Sequence, residues 1–332
     1  MTIGKIINYY GEKHTPYIGG LVNHLPMGQL AMYKITDDLD KVKSFTDSFL
    51  ERSNINQVQT DYPYIETIDE ALGNRSLYEA CLDLVRKETK DAQIDKYAKR
   101  MLNKYVLGLS SGLFHTIIRM AYAIEGAALD PLLNSEIQRA LAYYVTAYRE
   151  SKIFSRKIPG SMIKKEMNKL VNDEYIRSLM ANHDTLGKKI RALYGENDFL
   201  EKGFIIDGDE DEKIKALLDM LVPAYYFSGN IVTLHCITGL HAVIELKDYF
   251  DDYSSTLDIL TTSIITHLLT ISCYNYNREI DDYSHSSWKA IISVGSEQTD
   301  VHAVKLCYTS NKLYKLYEMK GLKEIAIKRI RH

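Results

Sequence analysis

Cysteine is scarce: only Cys81, Cys236, Cys273 and Cys307 occur in 332 residues. No two of them form a C-x-x-C pair, which argues against both a disulfide framework and a zinc ribbon. Proline is as sparse, with six residues in all, so long helices can run without interruption. Neither sign of charge dominates. With 41 Lys and Arg against 44 Asp and Glu, the formal net charge is -3, and no basic excess recommends nucleic acid or an anionic membrane as a partner. No run of about 18 apolar residues is present to span a bilayer. The first residues, MTIGKIINYYGEKHTPY, lack the apolar core and small-residue cleavage site of a signal peptide. These absences lead to the expectation of a cytoplasmic globular protein with neither a membrane nor a nucleic-acid partner.

What is abundant is apolar residues, at 45%, and tyrosine, at 25 residues against 8 Phe and 1 Trp. Tyrosine joins a large apolar body to a hydroxyl that wants a partner, which suits polar-edged helix packing first and an aromatic cavity second. Helical periodicity runs through the chain. In Ser135–Glu150 the residues Ile137, Leu141, Tyr144, Val145 and Tyr148 share one face, and Ser135 with Gln138 reads as an S-x-x-Q capping box. A second helix follows the Thr36-Asp37-Asp38 start through Leu39, Val42, Phe45 and Phe49, and a third carries Leu77, Cys81, Leu84 and Val85. Similar patterns cover 93–106, 110–126, 161–181, 210–222, 228–249, 254–278 and 300–319. Alternating segments are few. Breakers fall at Gly11–Gly20, Asp61–Pro63, Ala127–Pro131, Lys157–Gly160 and Asp207–Glu212, none long enough to be an interdomain linker. The basic end, Lys328 to His332, reads as a solvated tail. The expectation is therefore all-α: one large multi-helix domain over residues 1–332, with its site buried between helices.

The histidines are the informative residues. His24 sits just before Leu25-Pro26, where proline can open a helix. His115, His235 and His302 each lie in a separate apolar helical segment, and Asp300 is positioned to cap the last of these. A single histidine on an apolar helix is ordinarily a core residue bonded to a carbonyl. Burying three costs desolvation each time unless their nitrogens find partners. A shared metal satisfies all three at once, since neutral imidazole is a common ligand. His302 and Lys305 are three apart and share a helix face. His235 and His241 are six apart, about 240° around a regular helix, so only one faces a common site. His267 reads as core, while His14, His183, His285 and His332 have the polar neighbours of surface or loop residues.

At these same segments the sequence resembles the questin oxidase-like family. The matching pieces are Asn23-His24-Leu25-Pro26-Met27, then Gly112-Leu113-Phe114-His115 with Arg119, Leu234-His235-Cys236-Ile237-Thr238-Gly239, and Asp300-Val301-His302-Ala303-Val304-Lys305-Leu306. They occur in the family's order from about residue 20 to 310. The resemblance implies a largely helical oxidoreductase, similar to enzymes that open or oxidise anthraquinone-type polyketide rings with O2. It further implies a non-haem iron centre in which His24, His115, His235 and His302 are imidazole ligands and Lys305 is carboxylated, with Arg119 as a catalytic residue. Some family members are described as NADPH-dependent, which makes NADPH a second implied cofactor, with no site for it legible here. Two departures stand out: Val301 replaces an acidic residue expected before His302, bearing on a contact behind the ligand, and the chain is shorter than the fungal members, bearing on the substrate pocket. A carbamate on Lys305 would supply an anionic oxygen where an ammonium has no lone pair, and its formation needs the free amine that desolvation favours. The alternative for Lys305 is a snorkelling surface lysine.

Two other readings compete. An HD-type metal phosphohydrolase would use His183-Asp184, but that dipeptide reads as a helix boundary. A non-catalytic helical binding protein would use the histidines for packing and the tyrosines for a ligand or partner groove. Paired E-x-x-H motifs of a di-iron bundle are absent, as are G-x-x-x-x-G-K-S/T and a convincing G-x-G-x-x-G.

Overall fold

The computed structural model describes residues 1–90, 93–271, 278–280 and 283–331, so Cys273 and His332 lie outside the described residues. The protein is all-α. The first half holds α1 (Ile3–Gly11), α2 (Leu25–Thr36), α3 (Leu39–Arg52), α4 (Tyr78–Glu88), α5 (Ile94–Lys104), α6 (His115–Leu129) and α7 (Asn134–Thr146). Four short helices follow, α8 (Ile163–Asn172), α9 (Glu174–Ala181), α10 (Leu186–Gly195) and α11 (Asn197–Lys202). The rest are α12 (Glu210–Ser228), α13 (Ile231–Glu245), α14 (Tyr253–Leu269), α15 (Trp288–Gly295), α16 (Val301–Tyr317) and α17 (Gly321–Arg331). Sheet among the described residues is limited to Tyr17–Ile18 antiparallel to Leu21–Val22 and Lys157–Pro159 parallel to Ile205–Asp207.

Local chemistry accounts for the boundaries. Pro26 sits in the first turn of α2, where its missing N–H costs nothing. Asp38 caps α3 by accepting from the N–H groups of Asp40 and Lys41, and Asn230 and Asp300 cap α13 and α16 through Val232 and His302. The acidic stretch near 207–212 does more than break the chain: Asp209 and Glu212 form a reciprocal capping box that starts α12, which continues through Pro223 to Ser228.

Several expectations are corrected. The Ser135–Gln138 box does not form, because the Ser135 hydroxyl donates to Asn8 Oδ1 and the Gln138 amide to Thr89 Oγ1, and α7 ends at Thr146. The segment 161–181 is two helices, divided at Asp173, whose carboxylate caps α9 at Ile176. The pattern over 254–278 stops at Leu269, and residues 272–277 lie outside the described ones. The basic end is not a solvated tail. It is the last turn of α17, with Ile330 buried, Lys328 donating to the Tyr226 carbonyl and Arg329 paired with Asp300.

Four helices make the centre. α2 packs on α6, α6 on α13, α13 on α16 and α16 back on α2. Each is followed by a helix that packs against its outside: α3, α7, α14 and α17 respectively. Close approach is made by small residues. A Cβ on Gly28 of α2 would lie 2.6 Å from the Phe45 ring and 2.7 Å from Val301 Cγ2.

Candidate metal centre

The four inner helices present their N-terminal ends to one point. His24 is the residue before α2, His115 opens α6, His235 lies just over one turn into α13 and His302 is second in α16. His115 is delivered by an unusual turn. Gly112, Leu113 and Phe114 have φ of 59°, 59° and 64° in succession, a left-handed stretch that suits glycine and strains the two residues after it. The turn brings the Gly112 carbonyl onto His115 Nδ1.

The rings converge. Centroids of His24 and His115 are 4.5 Å apart, of His115 and His235 4.3 Å, of His24 and His302 4.8 Å, and of His235 and His302 5.2 Å. One nitrogen from each of His24, His235 and His302 lies within 4.8 Å of the others, and the Nε2 atoms of His24 and His115 are 2.7 Å apart. With ligand bonds near ~2 Å, nitrogens on one ion stand at most about 4 Å apart, so the cluster is close to a binding geometry as it is.

Proton positions follow from the partners. Nδ1 of His24 donates to the Val22 carbonyl at 2.7 Å, Nδ1 of His235 to the Ile231 carbonyl at 2.8 Å, and Nδ1 of His115 to Gly112. A carbonyl can only accept, so in each neutral ring the proton is on Nδ1 and the lone pair on Nε2. His302 Nδ1 faces Asp300 Oδ1 at 3.4 Å, and Arg329 of α17 holds the other carboxylate oxygen. The carboxylate absent at Val301 is thus supplied one residue earlier. Outward Nδ1–H bonds of this kind fix ring orientation and raise the basicity of the free nitrogen. Two consequences point to a cation. The His235 Nε2 is buried with no hydrogen-bond partner, and the facing lone pairs of His24 and His115 repel unless a proton or a metal ion relieves them. Burial is also the largest reason the rings stay neutral. It pushes His24, His115 and His235 well below the usual imidazole value and His302 below it, with the Lys305 charge adding to the effect on all four.

Lys305 is fully buried, its Nζ 3.9 Å from Met27 Sδ. It is not a snorkelling surface lysine. Desolvation brings its pKa down to about 7, so near neutrality a large share is free amine. Four helix N-termini contribute partial positive charge and further disfavour an ammonium there.

Arg119 has a different setting. One turn after His115, its guanidinium pairs with Glu136 of α7 at 2.8 Å, and Glu136 also receives Arg139 Nε at 2.7 Å. Arg119 Nη1 is buried without a partner, beside a cavity of about 10 Å³ lined by Met27, Tyr122 and Glu136, roughly the room one water needs. Other histidines stay apart. His267 donates Nδ1–H to the Ser263 carbonyl and packs on Phe114, while His241 lies 3.3 Å from Glu245. His183 is half-buried between α9 and α10, and His285 is exposed. Sequence reasoning missed Arg329 as a partner of Asp300, since only the fold brings α17 onto the start of α16.

An all-helical protein with four neutral histidines converging between its inner helices defines a class: a helical protein with a histidine-lined candidate metal centre. The family model for questin oxidase-like proteins matches residues 21–310, and the chain belongs to that family. The family's name points to an oxidoreductase. No curated protein matches the chain significantly. No helix among the described residues is long and apolar enough to cross a membrane.

Proposed function

We propose that this chain is a metal-dependent oxygenase or oxidase that binds non-haem iron and acts with O2 on a small aromatic substrate of the polyketide or quinone type. The observation that carries this reading is the set of tautomers, with each Nδ1 turned to an acceptor, Nε2 of His24 and His115 facing each other and Nε2 of His235 buried without a partner. His24, His115, His235 and His302 would hold the ion through Nε2, and carboxylated Lys305 would add the single anionic ligand. When bound, the iron would supply a redox-active Lewis acid suited to O2 chemistry.

The chain's own residues do the rest. The Val22, Gly112 and Ile231 carbonyls and Asp300 keep the Nδ1 protons in place, so the rings do not need to reorganise. Burial of His235 and Lys305 keeps water from the inner side of the centre, while His24 and His302 are partly exposed and would face the side from which a substrate enters. Arg119 enters as a positioning residue, since its bond to Glu136 ties the helix of His115 to α7. NADPH enters only as the electron donor that a monooxygenase reaction would require, and no residues are assigned to it. A purely packing role leaves the unpartnered His235 Nε2 and the facing lone pairs without a cause, which weighs against a non-catalytic binding protein. The HD reading suffers from Asp184, which is exposed beyond the end of α9.

Metal analysis of protein purified without chelator or nickel resin tests the reading. Iron should be present, and should fall in His24→Ala, His115→Ala, His235→Ala and His302→Ala but not in His14→Ala or His285→Ala. Fully helical wild-type protein that takes up no metal would overturn the proposal. With iron confirmed, absence of O2 uptake across quinones and anthrones would remove the oxygenase assignment.

A further inference from the structure

Ten residues beyond each of the four histidines stands a charged residue: Lys34 after His24, Glu125 after His115, Glu245 after His235 and Lys312 after His302. The structure brings these four together as well. Lys34 Nζ is 3.6 Å from Glu125 Oε1, while Lys312 Nζ is 3.6 Å from Glu125 Oε1 and 3.1 Å from Glu245 Oε1. Because both sets meet, α2, α6, α13 and α16 run in the same sense, and the charged ring lies about 15 Å along their common axis from the imidazoles. Between the two layers the seam positions are Met27, Ile118, Thr238 and Lys305, then Ala31, Tyr122, Ala242 and Thr309. The contact of Lys305 with Met27 belongs to the first of these.

Half of those side chains, Met27, Ala31, Ile118 and Ala242, are apolar, and apolar contacts tolerate sliding of one helix past another. The ring does not. Its side chains are mostly sheltered, from 10% exposed at Glu125 to 32% at Lys312, and a one-turn slip of any inner helix, about 5.4 Å, separates its charge from its partner. Glu245 is the last residue of α13, where a helix macrodipole disfavours a carboxylate, so its presence there needs the Lys312 ammonium. His241 and Tyr308 complete the surroundings, the first against Glu245 and the second bonded to Glu125.

We infer that the Lys34–Glu125–Glu245–Lys312 ring is a positioning layer for the metal centre: it fixes the axial register of the four inner helices and so the convergence of the four imidazoles at their other end. The ring is sheltered and not fully buried, and specifying register is the best-attested use of ionic groups held between helices. The inference rests on the metal-centre reading for its function, though not for its geometry.

Cobalt(II) is the probe. Lys312→Met should keep its helical circular dichroism while binding Co(II) about tenfold or more weakly, the range for removing supports behind a ligand, and its ligand-field bands at full loading should differ from wild type. Lys312→Arg, which keeps charge and reach, should restore both. A control on an outer pair, Lys202 of α11 with Asp173 at 2.9 Å, is Lys202→Met, which should change neither. If Lys312→Met does not fold, Glu125→Gln takes its place in the same comparison. Unchanged affinity and bands in a folded ring variant would overturn the inference, because a merely stabilising ring lowers the melting temperature and leaves the loaded centre as it was. If wild-type protein binds no Co(II), the metal-centre reading fails on its own. The ring is then judged by imidazole ¹⁵N spectra of the metal-free protein: loss of Nδ1–H tautomers in Lys312→Met supports it and their retention overturns it.

Discussion

At Lys305 the chain buries an amine beside the Met27 thioether and within electrostatic reach of four imidazoles, and the consequence is measurable without any metal. Its folded pKa is about 7, against an ordinary lysine value near ~10.4 in the unfolded chain. Between those values the unfolded state holds one more proton than the folded state, so metal-free protein gains stability as pH rises from 7 and loses it as pH falls back to 7; below 7 both states are protonated and the contribution is flat. Lys305→Met removes the group. Urea unfolding at pH 7 and pH 9 should show wild type closing part of its gap to Lys305→Met at the higher pH, by a few kcal/mol at most. A gap that does not change with pH would mean the amine is not buried as described. The same residue tests the carbamate. Lys305→Ala should abolish O2 uptake, and Lys305→Arg should not restore it, because a guanidinium stays charged and cannot take up CO2. Full metal content and activity in Lys305→Arg would end the carboxylated-lysine reading.

The turn Gly112–Phe114 is the element on which the His115 position depends. Gly112→Ala adds a Cβ in the left-handed region, 2.9 Å from the hydroxyl of fully buried Tyr143. We expect a loss of about 1–3 kcal/mol, the range for strain at such a position, together with weakened iron binding, since the Gly112 carbonyl holds the His115 tautomer. Thermal unfolding and metal titration read the two effects, and a stable variant with unaltered metal affinity would contradict the role given to the turn. Elements governed by near neighbours were legible in the sequence: Asp38 and Asp300 start their helices as short-range capping predicts, and the histidines stood out as polar residues in apolar helices. Legibility failed where a distant residue captured a local donor. Ser135 loses its capping box to Asn8, 127 residues away, and Gln138 is taken by Thr89. Hydrophobic spacing puts the start of α6 too early, because three successive left-handed residues leave no mark in it. Within the site, the pairing of Asp300 with Arg329 and the ring ten residues beyond the histidines became visible only once the helices were known to run in the same sense.

Across the whole molecule, the helices at the two ends of the chain lie outside the segment that matches the family and both reach back to the centre. α17 does so through Arg329 and Asp300, and α1 through Asn8 and Glu12, which meet Arg139. The second route continues through Glu136 to Arg119 and so to the helix of His115. Burial alone would push the Glu136 carboxyl up, yet the flanking Arg119 and Arg139 guanidiniums hold it below its ordinary value. A carboxylate depressed in the folded state contributes stability that is complete above its unfolded pKa of about 4.3 and is lost as pH falls through the lower folded value. Glu136→Gln leaves the buried Arg119 guanidinium without an anion and Arg139 with Glu12 alone, and breaking a buried pair in this way costs on the order of 3–5 kcal/mol. The variant should therefore unfold at lower urea than wild type at pH 7, and the gap should narrow as pH falls below the unfolded value of about 4.3, where the unfolded chain takes up a proton before folded Glu136 does. Because the lost bond to Arg119 anchors α6 to α7, metal affinity should fall with stability. A gap that stays constant into acid would show that Glu136 stabilises the fold by packing and not by charge.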